Sequence, residues 1–461
     1  MTLFPLSPNL AVAIRATRLL GTLVAGFLVA AFPLAAQEPI VLTLGSAARL
    51  AAERSAPSEI GRLRADQAND RVRQRRADLL PNLSAALAEN ERTFNSASFG
   101  ISFRDAATGR YLFNPDGEVL GPVRGYDLRG TVRQPLLNLS ALAKLRASKA
   151  SAGAASAEAA ATAQQAAAGA ASAYIRVLRA DAQLAARVAD STLAEELLGI
   201  ARDQLAAGVG IVLDVTRAQS QRATTRAQLI AARNERDRSH LELYRALGLP
   251  LGVPIRLADS LLALPTSDPV PAETDATSRA MQSRADLRAA DELYRAGERQ
   301  LSALKAERLP SLGLFADQGA TGRLTERLLG TYTWGVELSV PLFDGFRREG
   351  RVDEQRSSLK EIDVRRRDLA QQATIEVRGA LLDLAASREA LGAAEERLIL
   401  AEQELSQSRD RFKAGVAGNA DVITASLGLN AARTLMVDAR AAFHSARVAL
   451  ARSQGATTEL P

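Results

Sequence analysis

Two aspartates occupy matched positions in the two halves of this chain. Asp214 and Asp421 each follow a glycine by six residues, Gly208 in the first half and Gly415 in the second. An aspartate near the start of a helix is favourable, because it can cap the helix and its charge opposes the helix dipole. If several copies of the chain surround an axis, the same carboxylates would instead form a ring that attracts cations. The sequence is compatible with both interpretations.

Cysteine and histidine, which commonly carry catalysis or hold metals, are absent or scarce in this sequence. The absence of cysteine excludes disulfides, thiolate metal sites and cysteine nucleophiles. The two histidines, His240 and His444, are 204 positions apart, and we expect them to be helix-surface or packing residues. Gly208 and Gly210 lie between predicted helices and lack the preceding strand of a nucleotide-binding fingerprint. We therefore predict that the protein is not an enzyme and carries no cofactor and no metal.

The charge distribution argues against nucleic-acid binding. The formal net charge is +6 over 461 residues, and aromatic residues make up 4% of the chain. The charges are interleaved along predicted helices, whereas a nucleic-acid site needs a basic patch beside aromatic platforms. We predict no nucleic-acid partner.

The first residues have the pattern of an export signal. Arg15 and Arg18 precede an apolar stretch over 19–32, and small residues follow it. This stretch of 14 residues is too short to span a membrane and fits a secretory signal peptide, which we place at 1–36. An N-terminal anchor helix is the alternative. Beyond residue 37 the sequence contains no apolar run of 18 residues.

The remainder of the chain reads as a duplicated unit. The segment 203–215 resembles 410–422 at an offset of 207 positions, and Leu80-Pro81 matches Leu309-Pro310. We divide the chain into a first repeat over 37–249, a proline-rich connector over 250–272, a second repeat over 273–455 and a tail over 456–461.

Each repeat contains one unusually long predicted helix followed by a shorter one. Proline is absent and helix formers dominate in two long segments, 140–206 and 347–413. The same holds for the shorter segments that follow them, 212–249 and 419–455. A helix of the longer kind would span roughly 100 Å, and apolar residues near every 3.5 positions indicate coiled-coil packing. The turns between long and short helices carry Gly208-Val209 and Gly415-Val416, since glycine tolerates the positive φ of a reversal.

Short alternating segments precede the long helices. We expect two strands within about 82–137 and two more within about 311–343. In the last of them, Tyr332, Trp334 and every second residue from there to Leu342 are apolar, and the residues between them are threonine, glycine, glutamate, serine and proline. Such a strand, apolar on one face and polar on the other, suits the wall of a transmembrane barrel, with Tyr332 and Trp334 in an aromatic girdle. A globular sheet edge can show the same alternation.

Four strands are too few to close a barrel, and open sheet edges do not occur in lipid. If the strands span a membrane, several chains must therefore share one barrel. Two chains would supply eight strands and three would supply twelve, and a lumen that passes solutes favours the larger number.

Several motifs then resemble one family. They are Leu42-Thr43-Leu44 in the opening helix, Leu80-Pro81 before the first strand, Arg284-Ala285-Asp286-Leu287 at the start of the second half, and Pro341-Leu342-Phe343-Asp344-Gly345 between strand and helix. In their order, duplication and spacing they resemble the outer-membrane efflux protein family, the TolC-like trimeric channels. The resemblance implies a mainly α fold with a transmembrane β-barrel portion. Four strands from each of three chains would form a twelve-stranded barrel that continues into a long periplasmic α-helical coiled-coil barrel.

The resemblance also implies roles for particular residues. Pro135, Pro341 and Gly345 would mark the junction of barrel and helices, where proline suits the end of a strand and the start of a helix. The turns Gly208-Val209 and Gly415-Val416 would form the periplasmic tip and contact an adaptor protein.

The same resemblance makes rings of Asp214 and Asp421 the gate. The family carries further gate and latch side chains where this chain has Phe412, Ala417 and Thr424, so the ion-pair latch is absent here.

The function implied is an outer-membrane exit duct of a tripartite efflux pump or a type I secretion system. Its partners would be two further copies of the chain, a periplasmic adaptor, outer-membrane lipid and, indirectly, an inner-membrane pump. The alternative is a soluble periplasmic coiled-coil scaffold or adaptor. That alternative explains the helices and the export signal but not the two alternating hairpins at matched positions.

Overall fold

A computed structural model describes residues 39–99, 105–108, 110–111, 116–266, 269–414, 416 and 418–461. The predicted signal peptide over 1–36 and the turn residues Gly415 and Ala417 lie outside the described residues.

The described chain alternates short strands with helices of very different length. The helices are α1 (Leu44–Arg54), α2 (Ala56–Ala77), α3 (Leu139–Ala206), α4 (Val212–Leu247), α5 (Glu273–Ser283), α6 (Ala285–Ala306), α7 (Arg347–Lys413) and α8 (Asn419–Ser453). The strands are β1 (Ile40–Leu42), β2 (Asn82–Asn95), β3 (Val119–Asn138), β4 (Ile255–Leu257), β5 (Ser311–Gly322) and β6 (Leu329–Ser339).

The two long helices, α3 and α7, contain 68 and 67 residues. Helix α3 packs against α4, and α7 packs against α8. At 1.5 Å per residue both are about 100 Å long. In α3 alanines form much of the buried stripe, among them Ala167, Ala170 and Ala171, and their small side chains let neighbouring helices approach closely. Within the described ranges, no helix is both long enough and apolar enough to cross a membrane.

The largest core lies midway along the helices, beneath the connector. Tyr174 of α3 is fully buried there, and its hydroxyl lies 2.8 Å from Asp259 Oδ2 and 2.9 Å from the carbonyl oxygen of Leu42. The backbone N–H of Leu44 donates to the same Asp259 oxygen at 3.0 Å. Burial and the neighbouring Asp259 raise the pKa of Tyr174 above its ordinary value, so the hydroxyl stays protonated and able to donate. The connector is thereby attached to the first helix and to α3.

The connector also contributes one short strand. β4 pairs in parallel with β1, with Leu42 opposite Leu257. This pair joins the start of the described chain to the region between the two repeats, so the connector packs against the helical body.

The other four strands form one antiparallel sheet in the order β2-β3-β5-β6. The pairing of β3 with β5 joins the two repeats, with Val132 opposite Ala316. Among the described residues β2 pairs only with β3, and β6 pairs only with β5. Both outer strands therefore present free backbone hydrogen-bonding edges within one chain.

Pro135 lies close to the change from strand to helix but not at the start of the helix. Pro135 lies within β3, opposite Gly313, and the strand continues to Asn138 with a register shift between Pro135 and Leu137. The bulge accommodates a residue that has no N–H to donate. Helix α3 begins at the next residue, Leu139, where the side chain of Asn138 accepts from the N–H of Ala141 at 2.8 Å.

In the second repeat the change from strand to helix takes more residues. β6 ends at Ser339, Pro341 stands in the irregular segment that follows, and α7 begins at Arg347. Gly345 and Phe346, with φ of 72° and 63°, make the final turn into the helix. Neither proline begins a helix, and the two junctions differ in conformation although their sequences match.

Candidate functional site

The register of the four-stranded sheet separates apolar from polar side chains. Directly opposed residues of an antiparallel pair share a face, so one cross-strand row gives the composition of each face. On one face the row is Leu83, Val132, Ala316 and Trp334, and on the other it is Ser84, Thr131, Asp317 and Thr333. The apolar face also presents Tyr332 and Leu338, and both are exposed in the single chain.

The polar face carries a cross-strand ion pair in the middle of the sheet. Arg129 of β3 contacts Asp317 of β5 and lies 3.3 Å from Asp127. Its guanidinium also donates to the hydroxyl of Thr331 in β6 at 3.2 Å. These charges need water or each other, so this face is suited to an aqueous surface and the opposite face to an apolar one.

The turn between α3 and α4 is closed by glycine. Gly208 has φ of 77°, and its N–H donates to the carbonyl oxygen of Leu205 at 3.1 Å. The positive φ is the reason that glycine occupies this position. Val209 after it is 79% exposed.

The opposite turn, between α7 and α8, likewise presents Val416, which is 71% exposed. Sequence reasoning missed two neighbours on the first turn: Ile211 and Val212 are also exposed, so this end of the molecule is more apolar than the two valines alone indicate. The apolar run 211–213 directly before a helix was the available signal.

Asp214 and Asp421 occupy equivalent places at the same end. Each is the third residue of its helix, α4 or α8, and neither helix has a side-chain cap. The capping interpretation therefore does not hold, although both carboxylates lie in the first turn, where the helix dipole favours them. Asp214 lies 3.8 Å from Arg217 and is mostly covered, whereas Asp421 is exposed and has no ion pair within the described part of the chain.

The two turns are joined by one hydrogen bond that the sequence did not indicate. Asn419, the first residue of α8, is buried, and its Nδ2 donates to the backbone carbonyl oxygen of Asp214 at 3.1 Å. The bond connects the starts of the two short helices across 205 positions of sequence.

A buried ion cluster connects the two helical hairpins farther from the turns. The side chain of Asp190 in α3 has no exposed surface, and it lies 3.1 Å from Arg187 and 3.0 Å from Arg433 of α8. Arg187 also donates to the hydroxyl of Thr434 at 2.9 Å. Because a buried carboxylate is stable only when paired, this cluster fixes α3 against α8.

The predicted Arg284 motif forms a second charged cluster, at the start of α6. The guanidinium of Arg284 donates to both carboxylate oxygens of Asp286, at 3.0 and 2.7 Å, and to Glu376 of α7 at 2.6 Å. Burial alone would raise the pKa of Asp286, but the hydrogen bonds and charge of Arg284 outweigh it and lower that pKa below its ordinary value. The motif thus attaches α6 to α7.

The two histidines have unrelated neighbours. His240 of α4 lies 3.7 Å from Asp181, and the buried ring of His444 of α8 packs edge-on against Phe443 at 5.3 Å. Among the described residues no group of three or more histidine and acidic side chains is placed to hold a metal.

A sequence model described as "Outer membrane efflux protein" matches residues 59–249 and 276–456. The alkaline protease secretion protein AprF of Pseudomonas aeruginosa is 24% identical over 309 residues, which are 66% of this chain and 64% of that protein. The toluene efflux pump outer membrane protein TtgF of Pseudomonas putida is 29% identical over 187 residues, 38% of this chain and 37% of that protein. The chain thus spans less than two thirds of either relative.

Solved structures resemble the fold over nearly the whole described chain. The outer membrane protein VceC of Vibrio cholerae superimposes with a TM-score of 0.70 at 19% identity, covering 89% of this chain and 96% of that one. The MtrE outer membrane channel of Neisseria gonorrhoeae, in its open state, gives a TM-score of 0.72 at 18% identity, covering 90% and 89%. These similarities agree with the architecture of a strand sheet above very long paired helices.

Proposed function

The chain belongs to the outer membrane efflux protein family, and from that premise we propose that it is an outer-membrane channel, the exit duct of a tripartite efflux pump or a type I secretion system. The single observation that carries the proposal is the four-stranded sheet, with one exposed apolar face, one charged face and two free edges. Lipid would cover the apolar face and water the charged one.

The free edges support a trimer. In lipid an unpaired strand edge costs several kcal/mol for each unsatisfied backbone group. β6 of one copy would pair with β2 of the next, so three copies would supply twelve strands to one closed barrel. Eight strands from a dimer would enclose a space that side chains nearly fill, which does not suit a duct.

The helices would continue the duct below the barrel. α3 and α7 are each about 100 Å long, and three copies would line one tube that crosses the periplasm. Such a duct conducts passively, so an inner-membrane pump would supply the energy. This role requires export, in keeping with the signal peptide predicted over 1–36 and an outer-membrane location.

The turn end would meet a periplasmic adaptor. Val209 and Val416 are exposed there, as are Ile211 and Val212, and a group of exposed apolar side chains at the end of a helical rod is typical of a protein–protein contact. Gly208 provides the tight reversal that brings them to the surface, and we assign the same role to Gly415.

The same end would hold the gate. In a trimer, Asp421 and Asp214 would each recur three times around the axis, and rings of carboxylates favour cations. The positions at which the resemblance expects latch residues carry other side chains in this protein. Phe412, for example, has no hydroxyl to form a polar contact and packs in the core beside Val422. The Asn419–Asp214 hydrogen bond and the Asp190 cluster are two contacts, among the described residues, that would hold the closed state instead.

The substrate class follows from the partner rather than from this chain. The names of the two relatives refer to protease secretion and to toluene efflux, and one passive duct architecture suits both. We therefore propose the duct and leave its cargo to the pump that it serves.

Conductance in planar lipid bilayers tests the proposal. Purified protein is expected to give discrete current steps with a preference for cations. Absence of steps from a protein that stays soluble without detergent would contradict the duct and favour the periplasmic scaffold.

A further inference from the structure

A cavity of about 430 Å³ lies between α3 and α8 and is bordered by the connector. Helix α3 contributes Leu178 and Ala182 to its wall, α8 contributes Met436 and Val437, and α7 contributes Leu398. Protein interiors normally hold few voids larger than a water molecule, because their side chains interdigitate. A space of this volume is within the range of about 300–1,000 Å³ that is usual for small-molecule sites.

Three alanines of α3 leave this space open. Ala182, Ala185 and Ala186 line the cavity, and none of them reaches far from the helix. On either side of them along α3 the larger side chains of Tyr174 and Leu193 are buried in apolar cores. The gap between α3 and α8 is therefore filled above and below the alanines but not beside them, which is how a short side chain creates a cavity.

The connector closes one side of the cavity with residues 259–262. Leu261 is buried in the largest core, and Arg440 of α8 donates to the carbonyl oxygen of Leu262, which holds this part of the connector on α8. The side chain of Leu262 is 57% exposed, and Ser260 is exposed as well. These two residues form the rim by which a small molecule would enter.

The cavity wall carries one carboxylate that has no basic partner. Asp259 Oδ2 accepts from the hydroxyl of Tyr174 and from the N–H of Leu44, and both donors are neutral. In the part of the chain that the structure describes, no basic side chain pairs with Asp259 and no donor contacts its Oδ1. A negative charge without a counter-charge therefore borders a largely apolar cavity, where an opposite charge interacts with it more strongly than in bulk water.

The other charged groups of the wall already have partners. Arg433 lies 3.0 Å from Asp190. Asp181 lies 3.2 Å from Arg236 and 3.7 Å from His240. Burial alone would raise the pKa of Asp181, but the contacts with His240 and Arg236 outweigh it and lower that pKa below its ordinary value. The charge that lacks a partner is therefore that of the connector carboxylate.

We propose that this cavity binds a small apolar molecule that carries one protonated amine. The ammonium group would donate to Asp259 Oδ1, and a hydrogen bond between two charged groups is stronger than one between neutral groups. The hydrocarbon part would contact Leu178, Leu261 and Met436 and so fill the void. The flexible side chain of Met436 would adjust to its outline.

Binding would join three parts of the helical body, namely α3, α8 and the connector. A molecule that binds only the packed form of a protein stabilises that form. The cavity lies within the helical body of one chain, so the proposed site does not depend on whether the sheet lies in a membrane. It extends the proposed function without resting on it.

Three compounds with the same naphthalene body separate the charge from the apolar part. At neutral pH 1-naphthylmethylamine is a cation, 1-naphthylmethanol is neutral and 1-naphthoate is an anion. Their binding to the purified full chain in detergent is measured by equilibrium dialysis, and uptake by protein-free micelles is subtracted. The parent protein is expected to bind the amine saturably and about tenfold more tightly than the alcohol, and to bind naphthoate least.

Two variants and a control locate the binding. Asp259→Asn keeps an oxygen that can accept from Tyr174 and removes the charge, so the affinity for the amine should fall about tenfold, to that for the alcohol. Asp383→Asn removes the same charge from an exposed position of α7 and should leave all three affinities unchanged. Ala182→Leu fills the cavity and should abolish the saturable binding of amine and alcohol.

Four results would overturn the inference. Absence of saturable binding to the parent protein, or equal affinities for amine and alcohol, would contradict a cation site, and neither measurement needs a variant. Undiminished binding to Ala182→Leu would show that the compounds bind outside the cavity. An equal loss of amine binding in Asp259→Asn and Asp383→Asn would show that the overall charge of the chain attracts the amine and that Asp259 does not.

Discussion

Asn419 Nδ2 donates to the backbone carbonyl oxygen of Asp214 at 3.1 Å, and this bond ties the first turn of α8 to the first turn of α4. Asp214 and Asp421 stand at equivalent places in those two turns. The bond therefore fixes the relative position of the two residues proposed to form the gate rings, and it does so from a buried side chain.

Replacing Asn419 with alanine should loosen the closed end of the duct. The change removes a buried hydrogen bond, a loss of about 1 kcal/mol, while the Asp214 carbonyl oxygen keeps its bond within α4. In planar bilayers Asn419→Ala should spend more time in its larger conductance levels than the parent protein. Thr216→Ala is the matched control, because the hydrogen bond of the exposed Thr216 hydroxyl lies within α4, to the carbonyl oxygen of Val212. Equal behaviour of the two variants would show that the Asn419 bond does not restrain the turns.

Neutralising Asp421 should reduce cation preference. Its side chain is exposed with no ion pair in the described chain, so its full charge is available to passing ions. Asp421→Asn should lower the cation-to-anion permeability ratio measured from reversal potentials and raise single-channel conductance. Asp214→Asn should have a smaller effect, since Arg217 already lies 3.8 Å from that carboxylate. Unchanged selectivity and conductance in Asp421→Asn would remove Asp421 from the gate.

Replacing Asp190 with asparagine should destabilise the helical body. Arg187 and Arg433 would lose the carboxylate between them, and removing one partner of a buried pair costs about 3–5 kcal/mol. The midpoint of urea denaturation in detergent should fall accordingly. Asp383→Asn, at an exposed position of α7, serves as the control and should leave the midpoint unchanged. A midpoint for Asp190→Asn equal to that of the control would show that the cluster contributes nothing to holding α3 against α8.

The Arg284–Asp286 pair should contribute stability that depends on pH. The folded chain holds the pKa of Asp286 below its ordinary value of 3.8. Its contribution is therefore fully present above about pH 3.8 and is lost as the pH falls through the lower, folded value. Because the carboxylate is partly exposed, Asp286→Asn should cost only about 1 kcal/mol at pH 7. The thermal midpoints of parent and variant should converge only as the pH falls through the folded pKa of Asp286, which lies below 3.8, and a difference that persists well below that pKa would contradict the assignment.

Local patterns predicted the elements well. Absence of proline and the glycine turns delimit 347–413, and α7 spans Arg347–Lys413. The alternation of apolar and polar residues predicted the four strands, because a period of two can be recognised from neighbouring residues alone. The bulge after Pro135 was not predictable, since the sequence Pro135-Leu136-Leu137 matches Pro341-Leu342-Phe343, and only pairing with β5 distinguishes the two junctions.

The contacts that connect the two repeats were also missed. Asp190 and Arg433, or Asn419 and Asp214, are more than 200 positions apart. Their meeting depends on how α3 and α4 are rotated against α8, which a helical period does not determine. The sequence could mark Asp214 and Asp421 through the duplication, but it carried no signal for the residues that hold them in place.

The native mass of the protein extracted from membranes in a mild detergent tests the central claim most directly, because the sheet can close only when chains share it. The account predicts a mass of three chains after the detergent contribution is subtracted. A single chain or a pair that stays in solution without detergent would contradict the shared barrel and the exit duct with it.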